Sequence, residues 1–152
     1  MKISLKAMVC AIVLAAIGGM AYAGFSNPDD AIRYRKAVMT VIGQHFGDLA
    51  AVVNGKAPYD KKRVVHDATV IQTMAELPWD AVLYPGSDKG DTTLKSSALQ
   101  EKDKLMTVAH QLENSTRKLT EIARDGDLAA LKTQFGAVAG DCKACHSTFR
   151  HR

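Results

Sequence analysis

Residues 127–150 read DLAALKTQFGAVAGDCKACHSTFR, and apolar side chains recur in this segment at every third or fourth position. Such a period is typical of an amphipathic helix, whose apolar side chains lie on one face. Asp127 is well suited to cap the first turn. The apolar face comprises Leu128, Leu131, Phe135, Val138, Cys142, Cys145 and Phe149. The segment therefore predicts a helix with both of its cysteines on the face that packs inward.

Cys142, Cys145 and His146 form the pattern C-x-x-C-H, which is the attachment sequence for c-type haem. Cysteines three positions apart project from one face of a helix, and a histidine four positions after the first cysteine lies beside them. At such sites the sulfurs bond to the porphyrin and the imidazole binds the iron. The motif predicts one covalently attached haem c per chain, held by both cysteines, with His146 as the iron ligand.

A paired-cysteine motif has three other interpretations, which stay open at this point. A thioredoxin-like redox pair lies at the start of a helix that follows a strand, and a four-ligand zinc site needs a second pair of ligands. Neither context is visible in the sequence. A disulfide between Cys142 and Cys145 is compatible with a protein that is exported.

The first 23 residues predict a cleaved signal peptide, because they begin with two lysines and no acid, continue with apolar residues 7–17, and end at Ala21-Tyr22-Ala23. A retained membrane anchor is the alternative, but spanning a bilayer takes about 20 apolar residues. We therefore expect Cys10 to leave with residues 1–23. Residues 24–152 are then expected to be a periplasmic domain with no membrane attachment.

The composition favours a single helical domain. The 152 residues suffice for one core, and they are 47% hydrophobic but only 6% aromatic, unlike the aromatic-rich composition of sheet proteins. Residues 24–152 carry 18 basic and 16 acidic side chains, a balance that gives no support to nucleic-acid binding. Collagen-like, disordered and disulfide-scaffold classes are excluded on the same grounds.

Three further helices are predicted before residue 127 from the same periodicity and from capping residues. The first runs from Asn27-Pro28 to Asn54-Gly55, the second from Asp60 to Leu77-Pro78, and the third from Ser96 or Ser97 to Asp125-Gly126. Residues 78–93 lack sustained periodicity. They are predicted to be an irregular connection that either covers a ligand or links distant helix ends.

One charged residue interrupts the apolar face of the first helix. That face comprises Ile32, Arg35, Met39, Ile42, Phe46, Leu49 and Val53. A buried guanidinium needs an anion nearby, since an unpaired buried charge is costly. The sequence therefore predicts an anionic partner for Arg35.

Several segments of the sequence carry a resemblance to a known family. They are Tyr34-Arg35-Lys36, Gly43-Gln44-His45-Phe46-Gly47, Ala57-Pro58-Tyr59-Asp60, Leu77-Pro78-Trp79, Pro85-Gly86-Ser87, Asp125-Gly126-Asp127-Leu128 and the terminal residues 142–150. Together they resemble the class II cytochromes c, specifically the cytochrome c prime (cytochrome c') family, which carries its haem motif on the last helix. The resemblance implies an all-α, antiparallel up-and-down four-helix bundle that binds one covalent haem. It also implies a homodimer packed through the first two helices.

The resemblance further implies roles for individual residues. Arg35 corresponds to an arginine that reaches a haem propionate, which would supply the expected anion. Lys36 and Asp91 correspond to residues at the haem edge, and Trp79 corresponds to an aromatic residue that lines the pocket. Arg150 corresponds to an arginine over the proximal face, where it can hydrogen-bond to a ligand or tune the imidazole.

Met39 lies one turn beyond Arg35, where the resemblance implies the distal side of the haem. The function therefore depends on whether Met39 binds the iron. An apolar side chain there leaves the iron five-coordinate and high-spin, which suits one-electron redox and the binding of small gases such as NO and CO. In the alternative, Met39 and His146 both bind the iron of a low-spin electron-transfer carrier, whose redox partner is unknown. No base, nucleophile or substrate cleft is recognisable, so no enzyme activity is predicted.

Overall fold

The computed structural model describes residues 24–151, which form four long helices and two short ones. In chain order they are α1 (Pro28–Val53), α2 (Lys61–Ala75), α3 (Trp79–Leu83), α4 (Ser97–Gln100), α5 (Lys102–Asp125) and α6 (Leu128–Phe149). The all-α prediction is confirmed. The predicted signal peptide, with Cys10, lies outside the described residues. Within residues 24–151, no helix is both long and apolar enough to cross a membrane.

Three of the four long helices begin at the capping residues that the sequence indicated, and Gly126 ends α5 as expected. The side chains of Asn27 and Asp60 each accept a hydrogen bond from the backbone amide three residues later, at 3.0 and 3.1 Å. Asp127 accepts hydrogen bonds from two amides in the first turn of α6, and Gly126 ends α5 in the left-handed conformation, with φ of +88°. These contacts serve backbone groups that have no partner inside the helix.

The structure corrects the prediction in two places. Residues 78–93 are not wholly irregular, because α3 forms one turn there and buries Trp79, Ala81 and Val82; five residues are too few to show a helical period. The helix expected from Ser96 or Ser97 is interrupted after α4, where Glu101 leaves the helical conformation (φ −105°, ψ 52°). The long third helix therefore starts at Lys102.

The four long helices form a bundle in which α1 packs on α2, α2 on α5, and α5 on α6. Short connections join α1 to α2 and α5 to α6, so these neighbours run antiparallel. α1 and α6 also touch, but less extensively than the other neighbouring pairs. The largest buried side chains of the core are Leu49, Val64, Ile71, Leu105, Leu119, Leu131, Val138 and Phe149. The predicted up-and-down four-helix bundle is confirmed.

The apolar face of α1 is buried at its two ends and partly exposed between them. Its first and last members, including Ile32, Arg35 and Leu49, are buried as predicted. Met39 and Ile42, in the middle, are only half-buried. This middle section lies on the side of α1 where packing against α6 is sparse.

Replacing Gly126 by alanine is expected to lower the stability by about 1 kcal/mol, because a Cβ is strained in the left-handed conformation. The new Cβ would also lie only 3.3 Å from Lys61 Nζ. Gly136→Ala is the matched control, since a Cβ in mid-α6 meets no neighbouring atom within 4 Å and should stabilise by about 0.5–1 kcal/mol. Thermal unfolding of the holoprotein should show opposite shifts in Tm. A Gly126→Ala variant as stable as the parent would contradict the left-handed cap.

Candidate haem site

Three segments meet at one end of the bundle: the first turns of α1, the connection between α2 and α5, and the last turn of α6. The Lys95 amide donates to the Phe149 carbonyl at 2.8 Å, and the His151 amide donates to the Thr93 carbonyl at 2.8 Å. From α1, Arg35 donates to the Ser87 carbonyl at 3.1 Å. The connection is therefore bonded to both helices, and residues far apart in the sequence share this end.

A stacked pair of rings indicates the register of α1 against α6. The rings of Phe46 and Phe135 lie 4.2 Å apart and 14° from parallel. The two helices run in opposite directions, so moving toward the N-terminus of α1 and toward the C-terminus of α6 leads to the same end of the bundle. Seven residues span two helical turns, or about 10 Å, and return to nearly the same face of each helix. Those positions are Met39 and Cys142. The half-buried section of α1 is thus level with the C-x-x-C-H motif.

Cys142 and Cys145 are partly buried, pack against the core, and are not joined by a disulfide. Burial raises the pKa of each thiol, with a further contribution from Asp141 to Cys142 and from Cys142 to Cys145. A thiol with a raised pKa stays protonated near neutral pH and is a poor nucleophile in disulfide exchange. The α6 helix therefore presents two neutral sulfurs side by side.

His146 follows the cysteines at the end of α6 and is solvent-exposed. Partial desolvation, together with the positive charge of Arg150, lowers the pKa of its imidazole. A lowered pKa favours the neutral imidazole, which is the form that binds metals. Arg150 is held in turn by a hydrogen bond from its Nε to Thr93 Oγ1 at 3.0 Å. The structure thus brings Arg150 close enough to His146 for its charge to act on the ring.

Arg35 is buried, with 7% of its surface exposed. Its guanidinium donates to three neutral oxygens, the carbonyls of Ala81 (3.3 Å) and Ser87 (3.1 Å) and Thr92 Oγ1 (2.6 Å). Burial lowers the pKa of Arg35, and no carboxylate among the described residues contributes to that pKa. The expected anion is therefore not a side chain of the described part of the chain, and the haem propionate stays a prediction.

The other predicted site residues lie at the same end. Lys36 Nζ and Asp91 Oδ2 form an exposed ion pair at 2.6 Å, which links α1 to the connection. Trp79 is buried, and its indole Nε1 has no hydrogen-bond partner among the described residues. Met39 is half-buried, one turn along α1 from Arg35.

These features fit a haem group. Half-buried apolar side chains lie on the facing sides of α1 and α6, two helices that contact each other less extensively than the other neighbouring pairs; they are Met39, Ile42, Phe46, Phe135, Cys142 and Cys145. Apolar faces suit a flat porphyrin, and two sulfurs on one face of α6 suit attachment through thioether bonds. A buried cation at Arg35 and an unpartnered donor at Trp79 suit the anionic propionates.

No sequence pattern pointed to the polar partners that the connection supplies. The carbonyls of Ala81 and Ser87 hold Arg35, and the hydroxyls of Thr92 and Thr93 hold Arg35 and Arg150. Every residue has a backbone carbonyl, so a sequence cannot indicate which carbonyls accept a hydrogen bond. Serine and threonine are common in loops and are therefore not a specific signal. The only available signal was the unusual length of the aperiodic segment.

A family model described as Cytochrome C' matches residues 30–150. The chain is 36% identical over 130 residues to the cytochrome c' of Alcaligenes xylosoxydans xylosoxydans, covering 84% of this chain and 98% of that relative. The structure of cytochrome c prime from Shewanella frigidimarina matches with a TM-score of 0.82 at 29% identity, over 85% of this chain and 100% of that one. Two variants of the Alcaligenes xylosoxidans protein, one with bound NO and one with bound carbon monoxide, match with a TM-score of 0.78. Their identities are 32% and 33%, over 85% of this chain and 99% and 100% of theirs.

Proposed function

Because the chain belongs to the cytochrome c' family and therefore carries a covalently attached haem c, we propose that it is an exported haem protein that binds small gases such as NO and CO. The bound haem supplies a five-coordinate, high-spin iron that takes up one small neutral ligand and exchanges one electron. No enzymatic step is part of this function. The protein is a gas-binding and redox protein.

The main support is the register of α1 against α6, which makes Met39 level with Cys142. Met39 and its neighbour Ile42 are apolar and half-buried there, so the wall opposite the motif is hydrophobic. Such a wall admits a small uncharged diatomic molecule and disfavours anions, which would lose their hydration. Relatives solved with NO and with carbon monoxide give independent support.

Four residues at the end of α6 act on the proximal side. Cys142 and Cys145 would hold the porphyrin through thioether bonds, and His146 would bind the iron. The lowered pKa of His146 keeps its imidazole neutral and ready to coordinate. Arg150, held by Thr93, lies beside this ring and tunes it electrostatically.

Residues of α1 and the connection hold the rest of the group. Arg35 offers a buried positive charge for a propionate, and Trp79 Nε1 is a second donor without a partner among the described residues. The Lys36–Asp91 ion pair closes the haem edge toward solvent. Met39 shields the free side of the iron without binding it.

The proposal includes the location and assembly of the protein. Residues 1–23 are a cleaved signal peptide, and residues 24–152 form a periplasmic domain. A homodimer forms through α1 and α2, which is supported by the apolar side chains of Tyr34 and Val41 on α1, each 38% exposed. The one-electron redox step requires a separate partner molecule.

A second candidate is an electron-transfer carrier in which Met39 and His146 both bind the iron. The observation that favours it is the same register, because it brings a thioether side chain level with the motif. A methionine ligand would make the iron low-spin and close it to gases. The two candidates therefore differ in one bond.

Substituting Met39 separates the two candidates. We expect both Met39→Leu, which keeps the volume without the sulfur, and Met39→Ala to leave the visible spectrum of the reduced, matured protein high-spin. Met39→Ala should bind CO faster than the parent, because it removes the shield, whereas Met39→Leu should bind at close to the parental rate. Stopped-flow absorption measures both properties. A parent spectrum that is low-spin and becomes high-spin in Met39→Leu would establish the carrier instead.

A further inference from the structure

Two histidines and a buried aspartate, none of which is assigned to the haem, meet where α1 packs on α2. His45 lies on α1, and His66 and Asp67 lie on α2. One ligand atom from each of the three side chains lies within 4.8 Å of the other two. The two imidazole rings are 5.6 Å apart between centroids and cross at 72°. The three side chains therefore surround one small space.

Asp67 is the fixed member of this group, because only 1% of its surface is exposed. Its Oδ1 lies 2.7 Å from His45 Nδ1, and its Oδ2 accepts a hydrogen bond from Arg63 Nε at 3.2 Å. With Arg63 occupying Oδ2, Oδ1 is the oxygen that points to the histidines. His66 is exposed, so an ion from solvent can reach the group and the His66 ring can turn to meet it.

The charge around the group suits a cation. Arg63 is shared between Asp67 and Asp48, whose Oδ2 it contacts at 2.7 Å. One positive charge thus faces two negative ones, which leaves a net charge of −1 among Arg63, Asp48 and Asp67. Arg63 is itself 61% exposed, so solvent screens its positive charge. A dication would therefore meet a negative rather than a positive site.

We propose that His45, His66 and Asp67 bind a transition-metal dication of the Zn²⁺ type, with water completing the coordination. Two imidazoles and one carboxylate are a preferred ligand set for Zn²⁺, whereas Mg²⁺ and Ca²⁺ select oxygen ligands. Metal–ligand bonds of about 2.0–2.1 Å in a tetrahedron put ligand atoms about 3.3 Å apart. The metal would replace the proton of the His45–Asp67 hydrogen bond, which passes to water, and this 2.7 Å pair would open slightly. Wider pairs, which lie within 4.8 Å, would close. Arg63 then orients the ligating carboxylate of Asp67 through its hydrogen bond to Oδ2, the oxygen that does not bind the metal.

The metal site is independent of the gas-binding function, because it uses no residue that holds the haem. It joins α1 to α2, so a bound ion would also stabilise this helix pair. Failure of the proposal would leave the haem account unchanged, and failure of the haem account would leave the histidine group intact.

Isothermal titration of the holoprotein with Zn²⁺ tests the proposal. The holoprotein is required because its cysteine sulfurs are thioethers and do not compete for the metal. We expect one strong site per chain. His66→Gln, at an exposed position, should weaken it by more than about tenfold, and Asp67→Asn by about 10–100-fold. His110→Gln is the matched control, because His110 is also paired with a carboxylate, Glu113, at 3.1 Å, but has no second histidine beside it; it should change the affinity less than about twofold.

Two results would overturn the metal site. One is a Zn²⁺ affinity that is the same in His66→Gln as in the parent, and the other is a strong site that His110→Gln removes. Equal affinity for Mg²⁺ would also refute it, since an imidazole site must discriminate against that ion. Circular dichroism of Asp67→Asn shows whether this buried substitution still folds, and His66→Gln decides the question if it does not.

Discussion

Replacing Cys142 and Cys145 together by serine is expected to abolish covalent haem attachment. The two sulfurs lie on one side of α6 and pack against the core, and a hydroxyl cannot replace the thiol that adds to the porphyrin. A protein expressed with the haem-maturation machinery should retain its haem on a denaturing gel in the parent and lose it in the double variant. Haem staining of the gel measures the effect, which should be complete. Each single serine variant should keep one thioether bond and attach haem less efficiently.

Cys10→Ser is the matched control for the cysteine variants. Cys10 lies in the predicted signal peptide, so its loss should leave covalent haem at the level of the parent. Mass spectrometry of the same sample should find a mature chain that begins at Gly24. Retention of covalent haem in the Cys142→Ser/Cys145→Ser variant would contradict the assigned attachment site.

Arg35→Met is expected to destabilise the holoprotein by about 2–3 kcal/mol. The substitution keeps much of the side-chain length but removes the donors that serve Ala81, Ser87 and Thr92. The carbonyl oxygens of Ala81 and Ser87 are buried and would lose this donor. The connection would also lose its three hydrogen bonds to Arg35 of α1. Chemical denaturation followed by circular dichroism measures the change. The proposed contact between Arg35 and a haem propionate would be lost as well, and its loss is part of this change.

Lys36→Met is the control at the next position of α1. The Lys36–Asp91 pair is exposed on both sides, 53% and 93%, and such pairs contribute less than about 1 kcal/mol. Stability should therefore fall much less than in Arg35→Met. Equal losses of unfolding free energy in the two variants would contradict the prediction, because they would mean that the buried hydrogen bonds of Arg35 stabilise the protein no more than an exposed ion pair does.

The helices and their ends could be predicted from the sequence because both depend on local chemistry. Side-chain oxygens at Asn27 and Asp60 and the left-handed Gly126 act within one turn of chain, and the apolar period of each long helix reflects the one face that it buries. The one-turn helix at Trp79 could not be predicted in this way, since it is held by burial against distant residues. The break at Glu101 likewise has no local sequence signal.

The residues of the candidate site could be predicted where they form a short sequence motif. They could not be predicted where they come together only through packing of distant segments. The C-x-x-C-H spacing of Cys142, Cys145 and His146 predicts a haem. The neutral oxygens around Arg35 come from a connection whose path only the fold determines. The same holds for His45 and His66, which are separated in sequence and meet only because α1 packs on α2.

The visible absorption spectrum of the matured, reduced protein, recorded before and after adding CO and then NO, tests the gas-binding function most directly. An open iron site predicts a broad high-spin Soret band that sharpens as soon as either gas is added. Sharp low-spin α and β bands that do not change with CO would contradict it, because they would mean that Met39 or another side chain already binds the iron.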